Sequence, residues 1–290
     1  MSYCGSKSGD ICLDLIEEIV LRCDGMLSQT AYRAVFEAGQ RGGLIVEVGT
    51  ALGAATAALA LGLKNSGLPG RVVTFDPMLR GPRRQISTVE ARVQHVRSNL
   101  VHFGVSELVD IVPSTLPDGL GALPPDQLIS VLMLDADGRL DRELLLVFHR
   151  LAPDCTIIID DLADKVRLKR KRLFTFSIDA KMRLAHRMVR ILKDDGVITP
   201  GRIIKETYFG NKGPNTRLDP VRFLDAYHGL VFMETTLTPA AALRRFIVRT
   251  LEKLAPSILQ RLRVIKRRGV SGAQARLTID GGAGCDTVLK

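Results

Sequence analysis

Between residues 44 and 159, short β-branched apolar runs alternate with longer stretches of helical periodicity, and this alternation restricts the fold more than any other feature. The apolar runs span residues 44–48, 71–75, 108–112, 128–134 and 155–159; helical stretches fill 53–63, 86–103 and 141–151. Runs this apolar cannot leave a sheet face in water, so helices must cover both faces. Each connection is long enough for a right-handed crossover between parallel strands. The expected fold is α/β, a Rossmann-like, doubly wound, mostly parallel sheet.

Two helices, over 11–20 and 27–40, precede this region, the first with Asp10 placed to cap it and the second stopped by Gly42-Gly43. After Asp161 the chain turns basic, with Lys165, Arg167, Lys169, Arg170, Lys171 and Arg172 close together. A basic amphipathic helix over 178–192, strands over 197–204 and 206–209, and a short helix over 220–227 follow. From Pro239 an apolar stripe of Leu243, Phe246, Ile247, Leu251 and Leu254 runs beside Arg244, Arg245, Arg249 and Lys253, ahead of a Gly-rich tail. The expected organisation is an N-terminal helical segment 1–42, a sheet domain 43–235 and a basic amphipathic C-terminal extension 236–290.

The 290 residues carry 41 Lys and Arg against 31 Asp and Glu, a formal charge of +10. With 46% hydrophobic and 25% charged residues, the composition excludes a disordered, collagen-like or coiled-coil chain. No apolar run reaches the roughly 18 residues of a membrane-spanning helix. Asp14, Glu17 and Glu18 interrupt the N-terminal run that a secretory signal would need. Five scattered cysteines without Cys-x-x-Cys spacing give neither a disulfide framework nor a thiolate zinc site. A reducing, cytoplasmic setting is expected.

Ligands of an open parallel sheet bind beyond the C-terminal strand ends, and here those ends are acidic or glycine-rich. The first run leads into Glu47-Val48-Gly49-Thr50-Ala51-Leu52-Gly53. Its Gly-x-x-x-Gly spacing is not that of a dinucleotide cradle, and it leaves two readings open: a ligand-facing loop or an ordinary β–α turn. The second run ends in Phe75-Asp76-Pro77, where the carboxylate suits the two hydroxyls of a ribose or the cap of a following helix. The fourth and fifth end in Asp135-Ala136-Asp137 and Asp160-Asp161. Four carboxylates at one mouth repel one another unless protons or a cation compensate. All-oxygen ligation suits a hard ion such as Mg2+. Capping explains any one of these residues, but less readily two pairs at neighbouring strand ends.

Together, Glu47-x-Gly49-x-x-x-Gly53, Asp76, Asp135-x-Asp137 and Asp160-Asp161 resemble the class I S-adenosylmethionine-dependent methyltransferases. Within them the set is most similar to the metal-dependent macrocin O-methyltransferase-like family, with catechol and caffeoyl-CoA O-methyltransferases more distant. The similarity spans residues 43–210 and includes Gly196-Val197-Ile198-Thr199-Pro200-Gly201. It implies S-adenosylmethionine as cofactor, with Gly49 and Gly53 at its methionine end, Asp76 on its ribose, and Glu47 and Asp135 also lining it. It implies Mg2+, or another divalent cation, on Asp135, Asp160 and Asp161, with Asp137 as general base. Catechol-type relatives have Asn where this chain has Asp161; the macrocin-like group has Asp. Gly138-Arg139 departs from the bulky, His or Lys residue frequent there, which bears on the base and the acceptor. His95, His102 and His186 are alternative bases, against packing or surface roles for each.

The implied reaction is Mg-assisted methyl transfer to a hydroxyl of a sugar, glycoside or secondary metabolite. A nicotinamide-dependent oxidoreductase also uses a ribose carboxylate, but it gives the aspartate pairs no task. A non-catalytic basic module would bind membrane or RNA through residues 165–172 and the C-terminal segment. Few aromatics interleave with these charges and Trp is absent, so nucleic acid is a poor partner. The C-terminal stripe suits peripheral membrane contact or, more often, packing on its own domain or within a homo-oligomer. Arg80, Arg83 and Arg84 lie on a loop that closes over the cofactor, meets an anionic acceptor or is simply solvated.

Overall fold

The computed structural model describes residues 11–78, 86, 88–135, 139–172, 175–231, 246–248, 250–251, 254–255 and 257–258. Asp10, Asp137, the loop arginines 80, 83 and 84, and Leu243 of the C-terminal stripe with its flanking Arg244, Arg245, Arg249 and Lys253 lie outside these. Helix α1 (Leu13–Arg22) turns Ile16, Ile19 and Val20 inward at helical spacing, and it starts on Cys12 without a side-chain cap. Helix α2 (Gln29–Gly39) is capped by Ser28, whose hydroxyl accepts from Ala31 N. The chain then alternates through β1 (Gly43–Val48), α3 (Ala54–Ser66), β2 (Gly70–Phe75), α4 (Val89–His102) and β3 (Val109–Val112). Next come the single turn α5 (Leu116–Gly119), β4 (Ile129–Leu134), α6 (Leu140–Val147) and β5 (Leu151–Ile159). A hairpin of β6 (Arg167–Arg172) and β7 (Thr175–Asp179) leads to α7 (Lys181–Asp194), β8 (Arg202–Ile204), β9 (Thr207–Asn211) and α8 (Pro220–Val231).

The main sheet runs β3-β2-β1-β4-β5-β9-β8, with β1 to β5 parallel and β9 and β8 antiparallel additions. Consecutive residues of its central strands are fully buried on opposite faces: Ile45 and Val46, Leu132 and Met133, Ile157 and Ile158. This is the doubly covered, mostly parallel sheet that the apolar runs require. The chain divides into two compact units, Met1–Leu237 and Thr238–Lys290. Among the described residues no helix is long and apolar enough to cross a membrane.

Two features differ from the sequence expectation. The basic stretch after Asp161 forms β6, and Ile178 pairs with Leu168 inside the hairpin, so α7 starts at Lys181 and not at 178. Only Leu168 is apolar in β6, which left no period-two pattern to read. The second is the strand expected over 197–204, which is only β8, Arg202–Ile204, with an isolated bridge at Ile198 before it. Helices α2 and α3 pack through glycines. A Cβ on Gly62 would stand 2.0 Å from Phe36 O, and one on Gly39 would stand 2.2 Å from Leu59 O. Gly62→Ala must push the helices apart, and it is expected to destabilise by about 1–3 kcal/mol in urea unfolding.

Candidate functional site

Strands β1, β2, β4 and β5 end in register. Val48 lies opposite both Phe75 and Leu134, and Leu134 lies opposite Ile159. The following residues, Gly49, Asp76, Asp135 and Asp160, therefore form one row along the C-terminal edge of the sheet. Backbone bonds carry the ladder past the strands: Gly49 N donates to Phe75 O at 2.8 Å, Asp135 N to Val48 O at 2.8 Å and Asp160 N to Leu134 O at 3.0 Å. Strand order reverses at β1, which lies between β2 and β4, so the row sits at the topological switch point.

The loop after β1 approaches with little side-chain bulk. Gly49 and Gly53 have φ of 108° and 87°, and Ala51 between them also lies in the left-handed region at 50°. For a residue with a Cβ that conformation costs about 1–2 kcal/mol. Asp76 holds it there, since its Oδ2 accepts Ala51 N at 2.9 Å while Oδ1 accepts Met78 N at 2.7 Å. The carboxylate thus ties the two loops together. Among the described residues it caps no helix, since α4 begins only at Val89 behind its own cap, Thr88.

Glu47 is fully buried. Its Oε2 accepts from Thr56 Oγ1 at 2.5 Å and Thr74 Oγ1 at 2.6 Å, while Oε1 has no hydrogen-bond partner among the described residues. Burial raises its pKa to about 7, against the two threonine bonds and with the help of the Asp76 charge. A buried acceptor left open in this way calls for a donor beyond the described residues.

The third element is acidic. One carboxylate oxygen from each of Asp135, Asp160 and Asp161 lies within 4.8 Å of the others. Asp161 is placed by a left-handed backbone, φ 58°, which Asp tolerates better than most residues. Asp160 is fixed through Oδ1, which accepts Thr207 Oγ1 at 2.6 Å; the register Ile159–Tyr208 sets that threonine beside it. Burial foremost, then the Asp135 charge, raises the Asp160 pKa to about 7. Burial also raises that of Asp135 to about 6, although Lys181 opposes it. The Lys181 ammonium lies 3.2 Å from Asp135 Oδ1 and 2.9 Å from Asp161 Oδ2. Burial lowers its pKa, but the charges of the two aspartates outweigh this and the net shift is upward. Three oxygen donors at this spacing fit a hard divalent cation.

The structure thus brings Glu47, Gly49, Gly53, Asp76, Asp135, Asp160 and Asp161 to one edge. His102 is engaged elsewhere, bonded to Glu18 at 2.6 Å, and no histidine joins the acidic cluster among the described residues. Of the basic stretch, Lys165 pairs with Glu206, and Arg167 lies 3.7 Å from Asp161. Thr207 and Lys181 were not anticipated. The legible signal for Lys181 is a cation on the first residue of a helix whose first turn holds no acid.

Residues 46–162 match the family model described as a methyltransferase domain, a span that includes every glycine and carboxylate assigned to the site from the sequence. No curated protein matches the sequence. The chain is similar to the solved structure of a Klebsiella pneumoniae protein provisionally named an O-methyltransferase, at 14% identity over 73% of this chain and 92% of that one, TM-score 0.50. It is similar also to a Staphylococcus aureus protein provisionally named a caffeoyl-CoA O-methyltransferase, at 12% identity over 70% and 93%, TM-score 0.50. At such identity the likeness establishes a common fold.

Proposed function

We propose that this chain, a class I S-adenosylmethionine-dependent methyltransferase by its matched domain and fold, methylates a hydroxyl of a sugar, glycoside or secondary metabolite. The observation that carries this reading is the row of Gly49, Asp76, Asp135 and Asp160, which sets a loop suited to the donor beside three carboxylates suited to a cation. Asp161, rather than Asn, favours the macrocin O-methyltransferase-like group. In this reading residues 43–235 carry the chemistry.

Each residue has a physical task. Gly49 and Gly53 admit the methionine end of the donor against backbone. The open Oε1 of Glu47 suits that end's ammonium group. Asp76 retains a second lone pair on each oxygen after accepting two amides, enough for the ribose hydroxyls. Asp135, Asp160 and Asp161 would hold Mg2+, which when bound lowers the pKa of an acceptor hydroxyl. Thr207 occupies one oxygen of Asp160 and so fixes the direction of the other. Asp137, two residues beyond Asp135, is the candidate general base.

Titration calorimetry with S-adenosylhomocysteine, in Mg2+ and in EDTA, tests the donor site. Saturable one-site binding is expected. Its absence in both buffers removes the reading. With the donor site in place, methyl transfer is sought on a panel of hydroxyl and amine acceptors. Transfer confined to amines would overturn the hydroxyl assignment.

A further inference from the structure

The acidic cluster already contains a positive charge supplied by the chain itself. Lys181 Nζ is 3.2 Å from Asp135 Oδ1 and 2.9 Å from Asp161 Oδ2, and the lysine side chain is only 19% exposed. Little local to α7 favours this position, although Asp179 just before the helix accepts Lys181 N at 3.3 Å. Lys181 opens the helix, its first turn has no acidic residue, and a cation at a helix N-terminus opposes the macrodipole. Fixing the long side chain there also removes much of its rotamer freedom. The two carboxylates across the site are what compensate. Asp160, the third member, is held by Thr207 instead.

Charge and geometry make this arrangement incomplete. Beside three carboxylates, the Lys181 ammonium and the more exposed Arg167 guanidinium, 3.7 Å from Asp161 Oδ1, neutralise two charges. The ammonium takes one oxygen from each of two aspartates and leaves lone pairs open on all three. A divalent ion held by Asp135 and Asp161 would lie close to the Lys181 ammonium, which sits on one oxygen of each. Two cations side by side in a partly buried pocket repel strongly. The four-carbon stem of lysine is flexible enough to withdraw.

We propose that Lys181 is a tethered counter-cation, which keeps the three aspartates assembled without metal and is displaced when a divalent ion enters. The proposal rests on the reading of the cluster as a divalent-cation site and adds a competitor to it. The ion therefore binds more weakly, and exchanges more readily, than the same carboxylates would allow without the lysine.

Mn2+ titrated into the metal-free, full-length protein is the probe, with loss of the electron paramagnetic resonance signal of the free ion reporting binding. Lys181→Met keeps the stem and removes the charge, and it is expected to bind Mn2+ roughly tenfold tighter or more. Equal affinity in the two proteins overturns the competition and leaves the metal site standing. Failure of both to bind Mn2+ overturns the competition together with the metal site. The variant leaves its carboxylates uncompensated and can fail to fold, so a second measurement uses the unaltered chain. Lysine acetylation by a water-soluble active ester is read by peptide mass spectrometry with and without saturating Mn2+. Lys181 labelling is expected to rise from near zero towards that of the exposed Lys64, whose own labelling stays constant. Unchanged labelling of Lys181 contradicts displacement.

Discussion

Asp160→Asn is expected to lower kcat/KM by about a thousandfold, the several kcal/mol that a bound cation contributes to the transition state. S-adenosylhomocysteine affinity should change by less than about threefold, because the donor loop leaves β1 and Asp76 follows β2, while this residue follows β5, two strands beyond β1. The substitution is chosen so that loss of activity is not loss of fold. Asn keeps an oxygen for Thr207 Oγ1, now 2.6 Å from Asp160 Oδ1. It also removes a carboxylate whose pKa burial and the Asp135 charge raise to about 7, so above that pH the variant is spared the desolvation of an ionised group. Thermal unfolding alongside the kinetics checks this. Near-normal turnover in a folded variant would exclude Asp160 from the cation site.

The distribution of what the sequence revealed follows from where the signal resides. The parallel core was legible because Leu44–Val48, Leu128–Leu134 and Cys155–Ile159 are apolar without alternation, which only a sheet covered on both faces requires. The aspartates were legible because they directly follow those runs, and a strand end has a known direction. Thr207 and Lys181 reach the same place by a different route, through the antiparallel return of β9 and the β6–β7 hairpin. A hairpin with a single apolar residue on β6 carries no periodic signal. Neither residue lies within 46–162, so the family match also passes them by. Asp76 shows a different limit. Its position at a strand end was clear, but its tie to Ala51 N depends on a left-handed alanine that no residue pattern announces.

Glu47→Gln is expected to remove about 3 kcal/mol of the pH dependence of folding and, by the same change, to weaken donor binding. Burial, acting against the Thr56 and Thr74 bonds, raises the Glu47 pKa from 4.5 to about 7 in the folded protein. Through that window the folded chain keeps a proton which the unfolded chain has released. The contribution is therefore fully present below pH 4.5 and is lost as pH rises through 7. A shift of this size corresponds to about 3 kcal/mol between the two ends of the window. Gln does not titrate, so urea unfolding from pH 4 to 8 should show a correspondingly flatter profile. Asp135 and Asp160, raised to about 6 and about 7, leave a residual slope of the same sign. The amide can also present N–H groups where Oε1 stands open, which turns an acceptor for the donor's ammonium into a repulsive neighbour. Losing one charge-assisted hydrogen bond predicts weaker S-adenosylmethionine binding by about tenfold to a hundredfold. An unaltered pH profile would mean that Glu47 stays ionised across the window. Unaltered donor affinity would mean that Oε1 faces something other than the donor.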